Sequence, residues 1–161
     1  MKLFHASLLV TLPLLASTLA PGGALARPAP LTQAEQSAAF LKQKAAEPGV
    51  VTLPSGLEYK IEQSGDAAGP HPAATDAVMV NYVGKLPDGA IFDDSKGQIV
   101  TLPLSQVIKG WTEGLQLMRP GDIWTFYIPS ALAYGPKGAG PIPPDSALVF
   151  RIELVAVSGK G

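Results

Sequence analysis

Ile108-Lys109-Gly110-Trp111-Thr112-Glu113-Gly114-Leu115 is a short helical run set among segments that read as strands. Ile108, Trp111, Leu115 and Met118 recur at three- and four-residue intervals, which predicts one helix over about 108–118 with a single apolar face. Outward from it the pattern changes to period two. Ile123, Thr125 and Tyr127 alternate with their neighbours on the C-terminal side, followed by Leu148, Phe150, Ile152 and Leu154. On the N-terminal side Leu57, Tyr59 and Ile61 alternate, as do Val78, Val80 and Tyr82. Pro54-Ser55-Gly56, Pro87-Asp88-Gly89 and Arg119-Pro120-Gly121-Asp122 carry the proline and glycine chemistry of tight reversals. Strands joined by such short turns are antiparallel. About four to six of them with one short helix make an α+β arrangement in which the helix covers the apolar face of the sheet.

Residues 29–49 read as a separate leading segment. Thr32 followed by Glu35 is a capping-box pattern, and Ala34, Ala38, Leu41 and Ala45 share one helical face. Glu47-Pro48-Gly49 stops that helix. The expectation is a short surface helix resting loosely on the domain.

The first 26 residues hold one cation, Lys2, an apolar run from Leu8 to Ala20, and the small-residue sequence Ala24-Leu25-Ala26. They are read as a secretory signal peptide cleaved after Ala26, which implies a periplasmic or secreted protein. The run is shorter than the about 20 residues a spanning helix needs, so no membrane span is expected. Cleavage takes 26 of the 161 residues and leaves 135, enough for one domain with its own core. It also removes one of 12 basic residues and none of the 13 acids, leaving a slight negative excess. No basic cluster stands against that excess, which argues against nucleic acid as a partner. The chain has no cysteine, so neither a disulfide framework nor a cysteine-linked lipid is expected.

The chemistry on offer is narrow. Beyond the signal segment the only histidine is His71, in the proline-rich run Gly69-Pro70-His71-Pro72, where an exposed ring is expected. Without cysteine, and with one histidine, a zinc site or a nucleophile–histidine device is not expected. Asp88, Asp93 and Asp94 lack the alternating spacing of a calcium loop, and no phosphate-cradling glycine motif occurs. What remains is an aromatic and aliphatic set with a few hydrogen-bonding groups: Tyr82, Phe92, Asp93, Val107, Ile108, Trp111, Tyr134, Ile142 and Phe150. Any one of these aromatics, taken alone, reads as core. Asp93 either caps a turn with Asp94 and Ser95 or stands in a cleft beside apolar side chains.

Asn81-Tyr82-Val83-Gly84, Phe92-Asp93-Asp94-Ser95, the helical run with Trp111, Ala133-Tyr134-Gly135, and the segment from Pro141 to Phe150 follow one another in an order and spacing that resemble the FKBP family of peptidyl-prolyl isomerases. The resemblance covers roughly 52–157. It implies a twisted antiparallel sheet wrapped around one short helix, preceded here by a short N-terminal helix. The implied division is a signal peptide over 1–26, a linker and short helix over 27–50, and the isomerase domain over 51–158. It places Trp111 at the floor of a prolyl pocket, with Phe92, Val107, Ile142 and Phe150 as substrate-binding residues. Tyr82, Asp93, the Ile108 N–H and the Tyr134 hydroxyl take the catalytic positions. Implied partners are proline-containing polypeptides and macrolides of the tacrolimus and rapamycin type, with no metal and no cofactor. The leading helix is too short for the dimerising helix of some periplasmic members, so a monomer is expected.

Three departures from the family pattern stand out: Lys96 in place of an arginine near the aspartate, Val100 in place of a wall phenylalanine, and an abbreviated stretch over 136–140. Lys109 also replaces a frequent proline. The rival readings are a non-catalytic chaperone or peptide-binding module using the same cleft, and a β-rich structural domain whose aromatics are all buried. The joint presence of Tyr82, Asp93 and Trp111 weighs against the first.

Overall fold

Period-two segments become strands in the computed structural model, which describes residues 29–159; the signal segment expected over 1–26 lies outside them. In chain order the elements are helix α1 (Gln33–Ala45), strands β1 (Val50–Thr52), β2 (Glu58–Gln63), β3 (Ala77–Lys85), β4 (Ile91–Asp94) and β5 (Val100–Pro103), helix α2 (Lys109–Leu115), and strands β6 (Ile123–Ile128) and β7 (Leu148–Ser158). Single 3-10 turns lie at Leu104–Gln106, Ser130–Leu132 and Gly135–Lys137. The strands form one antiparallel sheet in the order β1-β2-β6-β7-β3-β4, with β5 pairing the first half of β3 on the same edge as β4. Seven strands are present against the four to six expected, because three- and four-residue strands carry too few alternations to register.

Leu148, Phe150, Ile152 and Leu154 are all buried, and with Val78 and Val80 they line the inner face. On β6 the alternation expected at Ile123, Thr125 and Tyr127 is off by one residue. Trp124, Phe126 and Ile128 are the side chains in the core cluster. Thr125 and Tyr127 are buried as well, on the opposite face, so β6 is covered on both sides and loses its alternating signal.

Helix α2 packs on the inner face, and its two glycines set how closely. A methyl group at Gly110 would come within 2.6 Å of Ile128, and one at Gly114 within 2.4 Å of Phe126. The helix backbone therefore lies directly on β6, with Trp111 and Leu115 turned into the core. The helix is shorter than expected and ends at Leu115; Leu117 and Met118 then bond back to Gly114 and Leu115, and Met118 stays fully buried.

Helix α1 covers part of the outer face. Its capping box is formed, with the Thr32 hydroxyl accepting from Glu35 N–H and Glu35 Oε2 accepting from Thr32 N–H at 2.7 Å. Its packed face is one residue away from the alanine stripe. Ala34, Ala38 and Ala45 are exposed and only Leu41 of that expected face is half-buried, whereas Ser37 is buried and Phe40 meets Tyr127 edge-on with centroids 6.1 Å apart. Ser37 donates its hydroxyl to the Asp145 carbonyl at 2.8 Å and accepts from Ala147 N–H at 2.9 Å, and Lys44 lies over the Phe40 and Tyr127 rings. Alanine methyls bury too little area to orient a helix; one hydroxyl closing two backbone groups and one aromatic contact decide it. The helix is therefore keyed to the domain rather than resting loosely on it.

Candidate active site

A hollow of about 510 Å³ opens between α2, the inner face of the sheet and the loop carrying Tyr134. Trp111 lies at its base, only 4% exposed. The rings of Tyr82 and Phe150 stand nearly perpendicular to the indole, at 85° and 88°, each with its centroid 5.1 Å away. Tyr82 comes from β3 and Phe150 from β7, the neighbouring central strands, so two antiparallel strands supply two walls and the helix supplies the floor. Val107 and Ile108 line the side where the chain enters α2. Ile108 is the N-cap, in extended conformation, and as such its N–H has no carbonyl within the helix to reach.

Asp93 reaches the hollow through an irregularity in β4. Gly84 pairs with Asp93 and Lys85 with Ile91, so Phe92 is an extra residue, a bulge that turns both the Phe92 ring and the Asp93 carboxylate inward. Gly84 makes room for this: a methyl there would lie 2.6 Å from Phe150 and 2.9 Å from Phe92. The two readings of the Asp93-Asp94-Ser95 run are thereby separated. Asp94 caps the turn, accepting from Lys96 N–H at 2.7 Å, while Asp93 lines the hollow.

The Tyr82 hydroxyl donates to Asp93 Oδ2 at 2.8 Å. Burial, reinforced by that carboxylate, pushes the Tyr82 phenol up to about 12, so it keeps its proton at any physiological pH. Tyr134 also lines the hollow, from a loop, and is 40% exposed.

Of the nine residues singled out in the sequence, seven border the hollow: Tyr82, Asp93, Val107, Ile108, Trp111, Tyr134 and Phe150. Phe92 and Ile142 sit behind it. Phe92 packs edge-on against Phe150 with centroids 5.4 Å apart, and Ile142 is buried, exchanging two backbone hydrogen bonds with Ala139 below the Tyr134 loop. Leu102, Gln106 and Ala133 also line the hollow and were not read from the sequence. Leu102 and Gln106 flank the turn into α2, and nothing in their spacing marks them; Ala133, beside Tyr134, had an adjacency signal. Gly84 did have a signal, as a glycine inside a strand that marks a bulge. His71 is exposed as expected, and its Nδ1–H donates to the Met118 carbonyl at 3.0 Å.

Comparison with known proteins follows the same geometry. The chain shares its fold with a peptidyl-prolyl cis-trans isomerase from Pseudomonas syringae pv. tomato, at a TM-score of 0.74 and 45% identity, over 78% of this chain and 93% of that one. Residues 69–155 match the model for FKBP-type peptidyl-prolyl cis-trans isomerase, and residues 28–61 match that for the domain amino terminal to it. The chain belongs to the FKBP-type peptidyl-prolyl cis-trans isomerase family. It is 49% identical over 130 residues to the peptidyl-prolyl cis-trans isomerase Mip of Coxiella burnetii, covering 79% of this chain and 56% of that protein. It is 53% identical over 126 residues to a probable FKBP-type isomerase, FkpA, of Neisseria meningitidis, covering 76% of this chain and 46% of that one. The chain thus spans about half the length of these relatives. Among the described residues no helix is long and apolar enough to cross a membrane.

Proposed function

We propose that this protein is a peptidyl-prolyl cis-trans isomerase that accelerates rotation of Xaa-Pro bonds in exported polypeptides by non-covalent stabilisation of the twisted amide. The observation that carries the reading is the Tyr82–Asp93 hydrogen bond at the edge of a hollow based on Trp111. Twisting a peptide bond costs about 18–20 kcal/mol because amide resonance is lost. No covalent bond is made or broken, so the site needs no nucleophile and only has to bind the twisted amide better than either planar form. An enzyme turning over about 1,000 times per second must remove about 7 kcal/mol from a background of tens of seconds.

In this reading the prolyl ring rests on Trp111, between Tyr82, Val107 and Phe150, where water that favours the polar planar amide is displaced. The Ile108 N–H and the Tyr134 hydroxyl hold the flanking substrate carbonyls, and Tyr82 and Asp93 orient and polarise the turning amide. Phe92 and Ile142 act through packing, holding Phe150 and the Tyr134 loop. The same hollow accepts macrolides of the tacrolimus and rapamycin type, which present a ring and carbonyls to the same groups. The segment 1–26, read as a signal peptide cleaved after Ala26, supports a periplasmic or secreted location. The 51–158 domain acts as a monomer, without metal or cofactor.

A protease-free isomerisation assay on a series of Xaa-Pro peptides, run with wild type beside Asp93→Val, tests the proposal. Turnover by wild type, lowered about tenfold or more in the variant, is the expected result. A wild-type rate equal to the buffer blank would reduce the protein to a peptide-binding module.

A further inference from the structure

We propose that Ser95, with Asn81 as its partner, is a positioning residue that fixes Tyr82 against Asp93; the role in catalysis rests on the isomerase reading above. The register of β3 and β4 pairs Gly84 with Asp93 and Val83 with Asp94, so the next rung falls between Tyr82 and Ser95. One half of that rung is ordinary: Ser95 N–H donates to the Tyr82 carbonyl at 3.0 Å. The other half is not. The chain turns at Lys96, whose φ is +54°, and the Ser95 carbonyl accepts from Gln98 N–H at 2.9 Å inside that turn. Tyr82 N–H donates instead to the Ser95 side-chain oxygen, at 3.1 Å.

That hydroxyl in turn donates to Asn81 Oδ1 at 2.5 Å, which fixes its hydrogen away from Tyr82 and presents a lone pair to the Tyr82 N–H. Ser95 is 8% exposed, so no bulk water stands ready to replace it. A side chain therefore finishes the ladder at the residue that carries the phenol of the hollow. The phenol oxygen lies at the far end of a long side chain, so slack at the Tyr82 backbone is amplified where it meets Asp93. Small displacements of positioned groups reduce turnover far more than they reduce binding. Asp93 and Ser95 lie two residues apart on one strand end, so this rung sets the distance between the two members of the pair.

Ser95→Ala and Ser95→Thr in the full chain, with thermal unfolding followed for each, test the assignment. Ser95→Ala is expected to lower kcat about tenfold with KM unchanged within about twofold, since it removes both hydrogen bonds of that hydroxyl and leaves the Tyr82 N–H and Asn81 Oδ1 without it. In isotope-labelled tyrosine NMR the Tyr82 phenol should titrate lower than in wild type, and Ser95→Thr, which keeps the hydroxyl, should restore both quantities. Should Ser95→Ala fail to fold, Asn81→Ala, which leaves the hydroxyl in place but unanchored, reads the same two quantities. Wild-type kcat with an unmoved Tyr82 resonance in Ser95→Ala, or a folded Ser95→Thr as impaired as Ser95→Ala, would overturn the proposal. If wild type itself shows no turnover the enzyme reading fails, and the Tyr82 titration alone then decides whether Ser95 positions the phenol.

Discussion

Tyr82 and Asp93 face each other across the bulge in β4, phenol oxygen to carboxylate oxygen at 2.8 Å. The phenol spends its only proton on the carboxylate, so the two side chains act as one unit toward anything in the hollow. Tyr82→Phe and Asp93→Ala should each lower kcat/KM about tenfold, the loss of one charge-assisted hydrogen bond at the reacting group. Because the groups are in contact, the double variant should fall little further than the worse single one. Strictly additive losses in a steady-state assay would mean that the two side chains contribute independently.

The Tyr82 titration has a stability consequence whose sign is fixed. Its folded value lies above the ordinary tyrosine range, at about 12, so the folded protein keeps a proton that the unfolded chain releases. The associated stability is fully present below about pH 10 and drains away as pH rises through the folded value. Tm recorded against pH should therefore decline between about pH 10 and 12 more steeply in wild type than in Tyr82→Phe. Parallel curves for the two proteins would contradict this.

Glu58 shows the opposite balance of burial and partners. It is 4% exposed on the outer face of β2, paired across the ladders with Thr52 and Tyr127, and its Oε2 has no hydrogen-bond partner among the described residues. Burial raises its carboxyl above the usual range. The folded form is favoured while the group is protonated, and that advantage is lost as pH rises through the folded value. Glu58→Gln should accordingly be more stable than wild type at pH 7 by about 1 kcal/mol, a few degrees in Tm, with the difference shrinking toward pH 4. An unchanged or lower Tm at pH 7 would show that the ionised carboxylate is stabilised by groups around it.

Gly114→Ala sets two effects of opposite sign against each other. Alanine favours a helix over glycine by about 1 kcal/mol. The added methyl would meet Phe126 at 2.4 Å, and overpacking of a tight core costs about 1–3 kcal/mol. Net destabilisation of up to about 2 kcal/mol in a urea melt is expected, with α2 lifted off β6 and Trp111 moved at the base of the hollow. A gain in stability would mean that the helix and sheet are less closely seated than the contact distance requires.

Ser37→Ala removes a hydroxyl that serves Asp145 and Ala147 at once, in a site 6% exposed. It should cost about 2 kcal/mol and raise amide exchange along α1. Ala38→Ser, one residue along on the exposed side, should leave both unchanged.

Strand β7 and the first half of β3 were legible because each has one buried face and one wetter face, and alternation survives such an arrangement. The short helix was legible for the same kind of reason, with Trp111, Leu115 and Met118 all buried. The faces of β6 and α1 were misread by one residue. In β6 both faces are covered, and in α1 the anchoring groups are a serine and a phenylalanine rather than the more numerous alanines.

The residues of the hollow show the same division. The chain alone determined which motif residues, Tyr82, Asp93, Trp111 and Tyr134 among them, belong to one family pattern. Tertiary structure decided that Phe92 and Ile142 stand behind the hollow, that Leu102, Gln106 and Ala133 enter its lining, and that Asp93 rather than Asp94 turns inward. That last choice depends on a single extra residue in β4 and on the space left at Gly84. Side-chain direction at a bulge is fixed by the partner strand and the rings packed beside it, contacts that lie far apart along the chain and leave no periodicity in it.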